Sequence, residues 1–179
     1  LDFDSDTLGT DTVNYGEPIT APANPVREGY TFAQWFGQIP TTMPARNVTC
    51  IAQYQINQYN ITFEDFDGRV ISSKNVDYGT KVTFPANPVR EGYTFAGWDN
   101  EVPSSMPAED VVLKAEYEIN SYVVSFVDFD NTILQTNTLE FGSEVVYPVQ
   151  DPTREGYTFI GWSDSITTVP AKDSELKAK

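Results

Sequence analysis

The chain has 179 residues with 26 acidic against 11 basic side chains, a formal net charge of −15, and it contains one cysteine and no histidine. An acidic surface without a basic cluster repels phosphate backbones and excludes nucleic acid as a partner; lacking histidine, the chain also lacks His-based nucleophile triads, most metal-ligand sets and, with one thiol, any intrachain disulfide. Aromatic residues make up 13% of the chain, which supplies core-forming side chains and argues for folding rather than disorder.

Arg-Glu-Gly-Tyr-Thr-Phe occurs at 27–32, 90–95 and 154–159, with starts 63 and 64 residues apart. Self-similarity at a fixed period means one folding unit copied along the chain. The predicted modules are 1–57, 58–120 and 121–179, each near the lower size limit for an independent core. In the first, Asp2-Phe3-Asp4 and Tyr15-Gly16 stand in register with Asp65-Phe66-Asp67 and Tyr78-Gly79, but nothing matches the strand at Tyr59–Phe63. The first module is therefore expected to lack its opening strand, and the chain to be a fragment of a longer array.

The middle module shows the full set of elements. Tyr59, Ile61 and Phe63 alternate with Asn60, Thr62 and Glu64, the period of a strand with one buried face. Asp67-Gly68 predicts a two-residue type I′ hairpin turn, with Asp130-Asn131 its later equivalent. A second strand runs roughly over 70–78, and Val82 and Phe84 resume the alternation after Gly79. Asn87-Pro88-Val89-Arg90-Glu91-Gly92 predicts a one-turn helix, with Asn as N-cap, Pro at the first helical position and Gly just past the end. Tyr93–Trp98 is a third strand, in which a bulge at Gly97 returns Trp98 to the core or else Trp98 caps the opposite side. After a proline-containing loop, Val111, Leu113, Ala115 and Tyr117 point inward from the last strand. Cys50 aligns with Leu113 and Leu176 and is expected to be buried and unreactive. No Gly, Pro or Ser-rich spacer separates the copies, so motion between them should be restricted. In the third module, Tyr147-Pro148-Val149-Gln150 carries an insertion, and the last strand is expected to lose its end.

With Tyr59-x-Ile61-Thr62-Phe63, Asp67-Gly68, Tyr78-Gly79 and Arg90 to Trp98 in that order, the unit resembles the Listeria-Bacteroides repeat, the internalin B-repeat type. The resemblance covers essentially the whole chain. It implies a mainly β, α+β module of β-grasp-like form, about four strands and one short helical turn, strung into an elongated array on a bacterial cell-surface or secreted protein. The partners it implies are neighbouring domains of that protein. The family brings no catalytic residues and no cofactor.

Three readings of function follow, none of them enzymatic. The favoured one is a stalk or spacer, and the alternative is an adhesive module binding a host protein or glycan. For the latter, Phe36 is the ligand-contact candidate, because Asp99 and Ser163 stand at its matching positions. The third is a calcium-stiffened array using Asp2, Asp4, Asp65, Asp67, Asp128 and Asp130, although a turn already accounts for these residues. The chain is expected to be a monomer with no membrane-spanning segment, open to strand pairing through its incomplete module.

Overall fold

The computed structural model describes residues 1–2 and 4–179. Among these residues there are nine strands and no helix. The strands are β1 (Tyr30–Phe36), β2 (Ile51–Ile56), β3 (Gln58–Glu64), β4 (Val70–Asp77), β5 (Tyr93–Trp98), β6 (Val111–Ile119), β7 (Ser121–Val127), β8 (Ile133–Glu140) and β9 (Ser174–Lys177). They form three sheets, ordered β1-β2, β4-β3-β6-β5 and β8-β7-β9. One sheet falls in each copy of the repeat, and where the opening strand is present it lies beside the closing one. The chain is all-β rather than α+β.

Close contacts divide the chain into two compact units, the boundary running through the middle repeat. The first comprises Leu1–Phe63, Ser72–Phe84 and Glu101–Leu113. Its buried apolar side chains include Ile61, Phe63, Val82, Met106 and Leu113, and the inward parity of β3 and β6 is the one their alternation dictates. Beside β2, Leu1 is held at both ends of its backbone: its amino group donates to the Cys50 carbonyl (2.9 Å) and its carbonyl accepts from the Ala52 amide (2.8 Å). Leu113 is only 1% exposed, whereas Cys50 is half-buried. The expectation of a buried Cys50 is not met: Leu113 lies within β6, whereas Cys50 precedes Ile51, the first residue of β2. Phe84 also departs from its predicted inward position and is exposed, although Val82 is buried.

The second unit comprises Glu64–Ile71, Pro85–Asn100 and Lys114–Lys179. Here β7 pairs antiparallel with β8 and parallel with β9, Phe126 lying opposite Leu176. Val124, Phe126, Val145, Val169 and Leu176 form its buried cluster, with Tyr147 and Trp162 packed against it. The third repeat's counterpart of β5 is reduced to a bridge between Trp162 and Ala178. Between β5 and β6 the register slips by one residue between Phe95 and Gly97, a bulge that returns Trp98 to the face of Phe95. The same slip occurs between Phe32 and Gln34 on β1.

Two predicted local structures are corrected. The two Asn-Pro-Val-Arg-Glu-Gly segments and Asp151-Pro152-Thr153-Arg154-Glu155-Gly156 are not helical. Each ends in a four-residue turn in which the Tyr30, Tyr93 or Tyr157 amide donates to the Arg27, Arg90 or Arg154 carbonyl, all at 3.1 Å. The glycine stands third, with φ of 74° in Gly29 and 77° in Gly92 and Gly156, the geometry of a type II turn. The sequence signal for left-handed glycine was sound, but a β-turn uses it as readily as a helix end does. The hairpin after β3 is likewise not a two-residue type I′ turn. Gly68 donates to the Asp65 carbonyl and Asp65 donates to the Arg69 carbonyl; Gly68 has φ of 82° while Asp67 is not left-handed. This is a three-residue loop, a type I turn followed by one left-handed residue. Asn131 takes that position in the third repeat (φ 71°) and Ser5 in the first (φ 70°).

Candidate functional site

What the repeated phrase builds is a junction between copies. On one face of β5, Phe95 and Tyr93 alternate. The bulge adds Trp98, and Tyr117 of β6 closes the group edge-on, with centroids 5.3 Å (Phe95–Trp98), 6.0 Å (Phe95–Tyr117) and 6.5 Å (Tyr93–Tyr117) apart. The run does not stop at the repeat's end, because Phe141 of the next copy meets Tyr93 at 5.9 Å and 76°. In the first unit Trp35, Phe32, Tyr54 and Tyr30 repeat the arrangement and Tyr78 of the next copy completes it, 5.8 Å from Tyr30. Edge-to-face pairs of this kind contribute roughly 0.5–1.5 kcal/mol each beyond their burial.

The turn glycine is the seat of the incoming ring. A Cβ on Gly92 would lie 2.2 Å from Phe141, and one on Gly29 would lie 2.1 Å from Tyr78. No side chain larger than hydrogen fits beneath either ring. The connecting asparagine fixes the backbone. Asn120 donates its amide to the Gly92 carbonyl (2.9 Å), accepts from the Phe141 amide (2.8 Å), and takes a hydrogen bond from Thr94 Oγ1 on its side-chain oxygen (2.7 Å). Asn57 does the same with Gly29, Tyr78 and Thr31. A shallow depression of about 700 Å³ opens beside Asn57, lined by Thr31, Gln55, Gln58, Tyr59 and Asp77.

A second constellation joins the hairpin loop to the turn. The Arg90 guanidinium lies 3.6 Å from the Phe66 ring centre and 3.8 Å from that of Tyr93, and Arg154 lies at the same distances from Phe129 and Tyr157. Each arginine is sandwiched between two aromatic faces. In the first repeat, Arg27 lies 5.1 Å from the Tyr30 ring centre and binds Asp2 (2.6 Å) and Asp4 (2.8 Å). The repeated Arg-Glu pair is thus no ion pair of its own: its arginine clamps the loop that the Asp-Phe-Asp motif makes.

The six candidate calcium-ligating aspartates all lie in these loops, where each accepts a hydrogen bond from the protein on at least one oxygen. Asp65, 4% exposed, accepts from Tyr117 Oη (2.7 Å) and the Phe66 amide (2.9 Å) on Oδ1, and from Arg69 (3.0 Å) on Oδ2. Those bonds, the tyrosine's first, hold its pKa below the ordinary 3.8. Burial and then the hydrogen bond to Asp65 push Tyr117 up to about 12. Burial, with Asp2 nearby, also raises Tyr54. Asp67 and Asp130 accept from the Arg69 and Thr132 amides, Asp128 from the Phe129 amide, and Asp2 and Asp4 from Arg27. No group of three or more acidic or cysteine side chains placed to hold a metal occurs among the described residues. Phe36 stands at the end of β1, 61% exposed and opposite Ile51.

Sequence reasoning missed the junction residues Gly29, Gly92, Tyr78, Phe141, Asn57 and Asn120. Their repetition was visible, but nothing in a fixed period says whether Tyr78-Gly79 meets its own copy or the preceding one.

Comparison with known proteins agrees with the repeat structure. The model of the Listeria-Bacteroides repeat domain matches residues 2–53, 59–116 and 122–179. Internalin H of Listeria monocytogenes is 36% identical over 147 residues, which is 77% of this chain and 26% of that protein. A protein of Evansella cellulosilytica, named for a Gly-rich membrane protein, is 30% identical over 164 residues, 83% of this chain and 19% of its own length. The chain thus spans about a fifth to a quarter of the length of the curated relatives it matches. Among solved structures, domains 3-4 of Streptococcal High Identity Repeats in Tandem from a cell surface protein are 15% identical, with 67% of this chain and 95% of that one covered and a TM-score of 0.29.

Proposed function

Since this chain belongs to the Listeria-Bacteroides repeat family, we propose that it is a non-catalytic segment of a bacterial cell-surface protein and acts as a stalk between other parts of that protein. The observation that carries this reading is the junction. A stalk has to transmit position, and a flexible spacer would not. Here a ring on a glycine seat, an asparagine bonded to both sides and direct strand-to-strand continuity replace such a spacer at both connections. Internalin H and a membrane protein among the named relatives support a location at the cell surface.

Spin labels at Arg46 and Lys74, introduced as cysteines in a Cys50→Ser background, test the junction directly. A narrow distance distribution is expected in the intact chain, broadening when Tyr78→Ala removes the ring. A distribution as broad before the substitution as after it would overturn the stalk reading. The adhesive alternative finds its best support in the depression beside Asn57 and in exposed Phe36. Asp99 and Ser163 stand at the positions matching Phe36, so that residue is not reproduced in the other copies, as a multivalent binder would require. Against calcium stiffening stand the hydrogen bonds that both Asp65 oxygens and one Asp67 oxygen accept from protein donors.

A further inference from the structure

Opposite the buried face of Ile61 and Phe63, β3 and β4 carry a ladder of polar side chains. Gln58 Nε2 donates to Asp77 Oδ1 (2.8 Å), Asn60 Nδ2 donates to Asn75 Oδ1 (3.1 Å), and the Thr62 and Ser73 hydroxyls lie 3.1 Å apart. Asn60 ties two rungs together, because its Oδ1 also accepts from Thr62 Oγ1 (2.6 Å) and Ser73 Oγ (3.0 Å). Alternate residues face the same side of a strand, so the rungs follow one another at about 6–7 Å. At its Gln58 end the ladder runs into the depression of about 700 Å³ beside Asn57, which Gln58 and Asp77 line together with Thr31, Gln55 and Tyr59. There Asn57 Nδ2 donates to Tyr59 Oη (3.4 Å).

Two properties of the ladder define what it can hold. Its side chains fix one another, so the rotamer freedom that an exposed amide would lose on meeting a ligand is lost already. The rungs also keep bonding capacity, because Asn75 Nδ2, Gln58 Oε1 and Asp77 Oδ2 are not the atoms that form them, and each hydroxyl can accept a further bond. Among the six rung residues there is one carboxylate and no cation, on a chain of net charge −15, so an anionic ligand is repelled. Regularly spaced donors and acceptors without a cation suit the hydroxyl groups of a sugar chain. We propose that this face is a binding site for a neutral oligosaccharide, which lies along β3 and β4 with one end in the depression beside Asn57. The third repeat lacks the ladder. Ser121 and Val123 stand there for Gln58 and Asn60, and the remaining hydroxyl pair, Ser125 and Thr136, is 3.5 Å apart. The site therefore belongs to the middle repeat, and it goes beyond the stalk reading without resting on it.

The test titrates cellohexaose, maltohexaose and chitohexaose into the 179-residue chain and follows the side-chain amide resonances of Gln55, Gln58, Asn60 and Asn75. With at least one of these sugars the four resonances should shift together and saturate at millimolar concentration, while a hexamer of galacturonic acid should leave them unmoved. Asn60→Val and Gln58→Ser install the third repeat's own residues at exposed positions of the strand. Each should weaken binding of that sugar by about tenfold or more, with the thermal midpoint recorded alongside to show that the variant is folded. Unmoved resonances with all three neutral sugars would overturn the proposal. So would equal shifts with the galacturonic acid hexamer, binding that survives both substitutions, or shifts confined to the surroundings of Phe36. Both substitutions leave Asn57 and the Tyr78 ring in place, so failure here does not bear on the spin-label distances, and the two readings stand or fall separately.

Discussion

Gly92 and Gly156 share a turn, a sequence context and a φ of 77°, but only Gly92 lies under a ring; nothing comes within 4 Å of a Cβ on Gly156. The pair separates backbone strain from seat occupancy. Gly156→Ala should cost about 1 kcal/mol for its left-handed conformation, while Gly92→Ala should cost about 2–4 kcal/mol because Phe141 must also leave. Equal losses in denaturant unfolding would show that the seat contributes nothing. Leu113→Ala is expected to cost about 2–5 kcal/mol by leaving a cavity; at half-buried Cys50 the same truncation removes far less covered surface and should cost below about 1 kcal/mol. The Tyr117–Asp65 pair makes stability depend on pH at both ends. Tyr117 has a folded pKa raised from 10.0 to about 12, so its contribution is complete below pH 10 and is lost as pH rises towards 12. Asp65 is depressed, so its contribution is complete above pH 3.8 and is lost as pH falls below that value. Unfolding free energy measured against pH should show both arms, and Tyr117→Phe should flatten the alkaline one.

The strands and their facing could be read from alternation alone, because a residue one place out of phase in β3 or β6 would put Phe63 or Leu113 in water. The bulge before Trp98 was one of two readings that parity allowed, and burial of the indole against Phe95 decided it. The turns were harder. Asp67-Gly68 and Arg90-Glu91-Gly92 each announce a left-handed residue, but a type I′ turn, a type I turn with a following left-handed residue, a helix end and a type II turn all satisfy that announcement. Which one forms depends on where the flanking backbone must go, and that information lies in partners about 50 residues away, such as Tyr117 on Asp65. The hairpin loops offer a test at this level. Ser5 and Asn131 occupy the left-handed position that Gly68 fills, and serine tolerates it least. Ser5→Gly should therefore stabilise the chain by about 0.5–1 kcal/mol and Asn131→Gly by less, as read from thermal unfolding. A loss at Ser5 would mean that the hydroxyl bonds locally in a way that outweighs the strain.

Across the whole chain, the junction is the feature that a single repeat cannot contain. The first two copies each carry a seat for the ring of the next, the second and third each bring the ring that fills it, and both junctions use the same asparagine bridge. Removing residues 58–120 should therefore leave a folded protein of two repeats in which Asn57 leads into Ser121 and Phe141 settles over Gly29. Such a deletion should keep cooperative unfolding, whereas removing a length that is not a whole period, such as residues 58–105, should abolish it. The consequence reaches into heredity. Because tyrosine and phenylalanine are both accepted over the glycine, any copy can succeed any other, and unequal crossing-over between near-identical stretches of the gene can lengthen or shorten the array by whole periods without a compensating change. A substitution at one turn glycine enjoys no such freedom, since its harm falls on a partner encoded about 50 codons downstream, and selection should therefore purge it in every copy that has a successor.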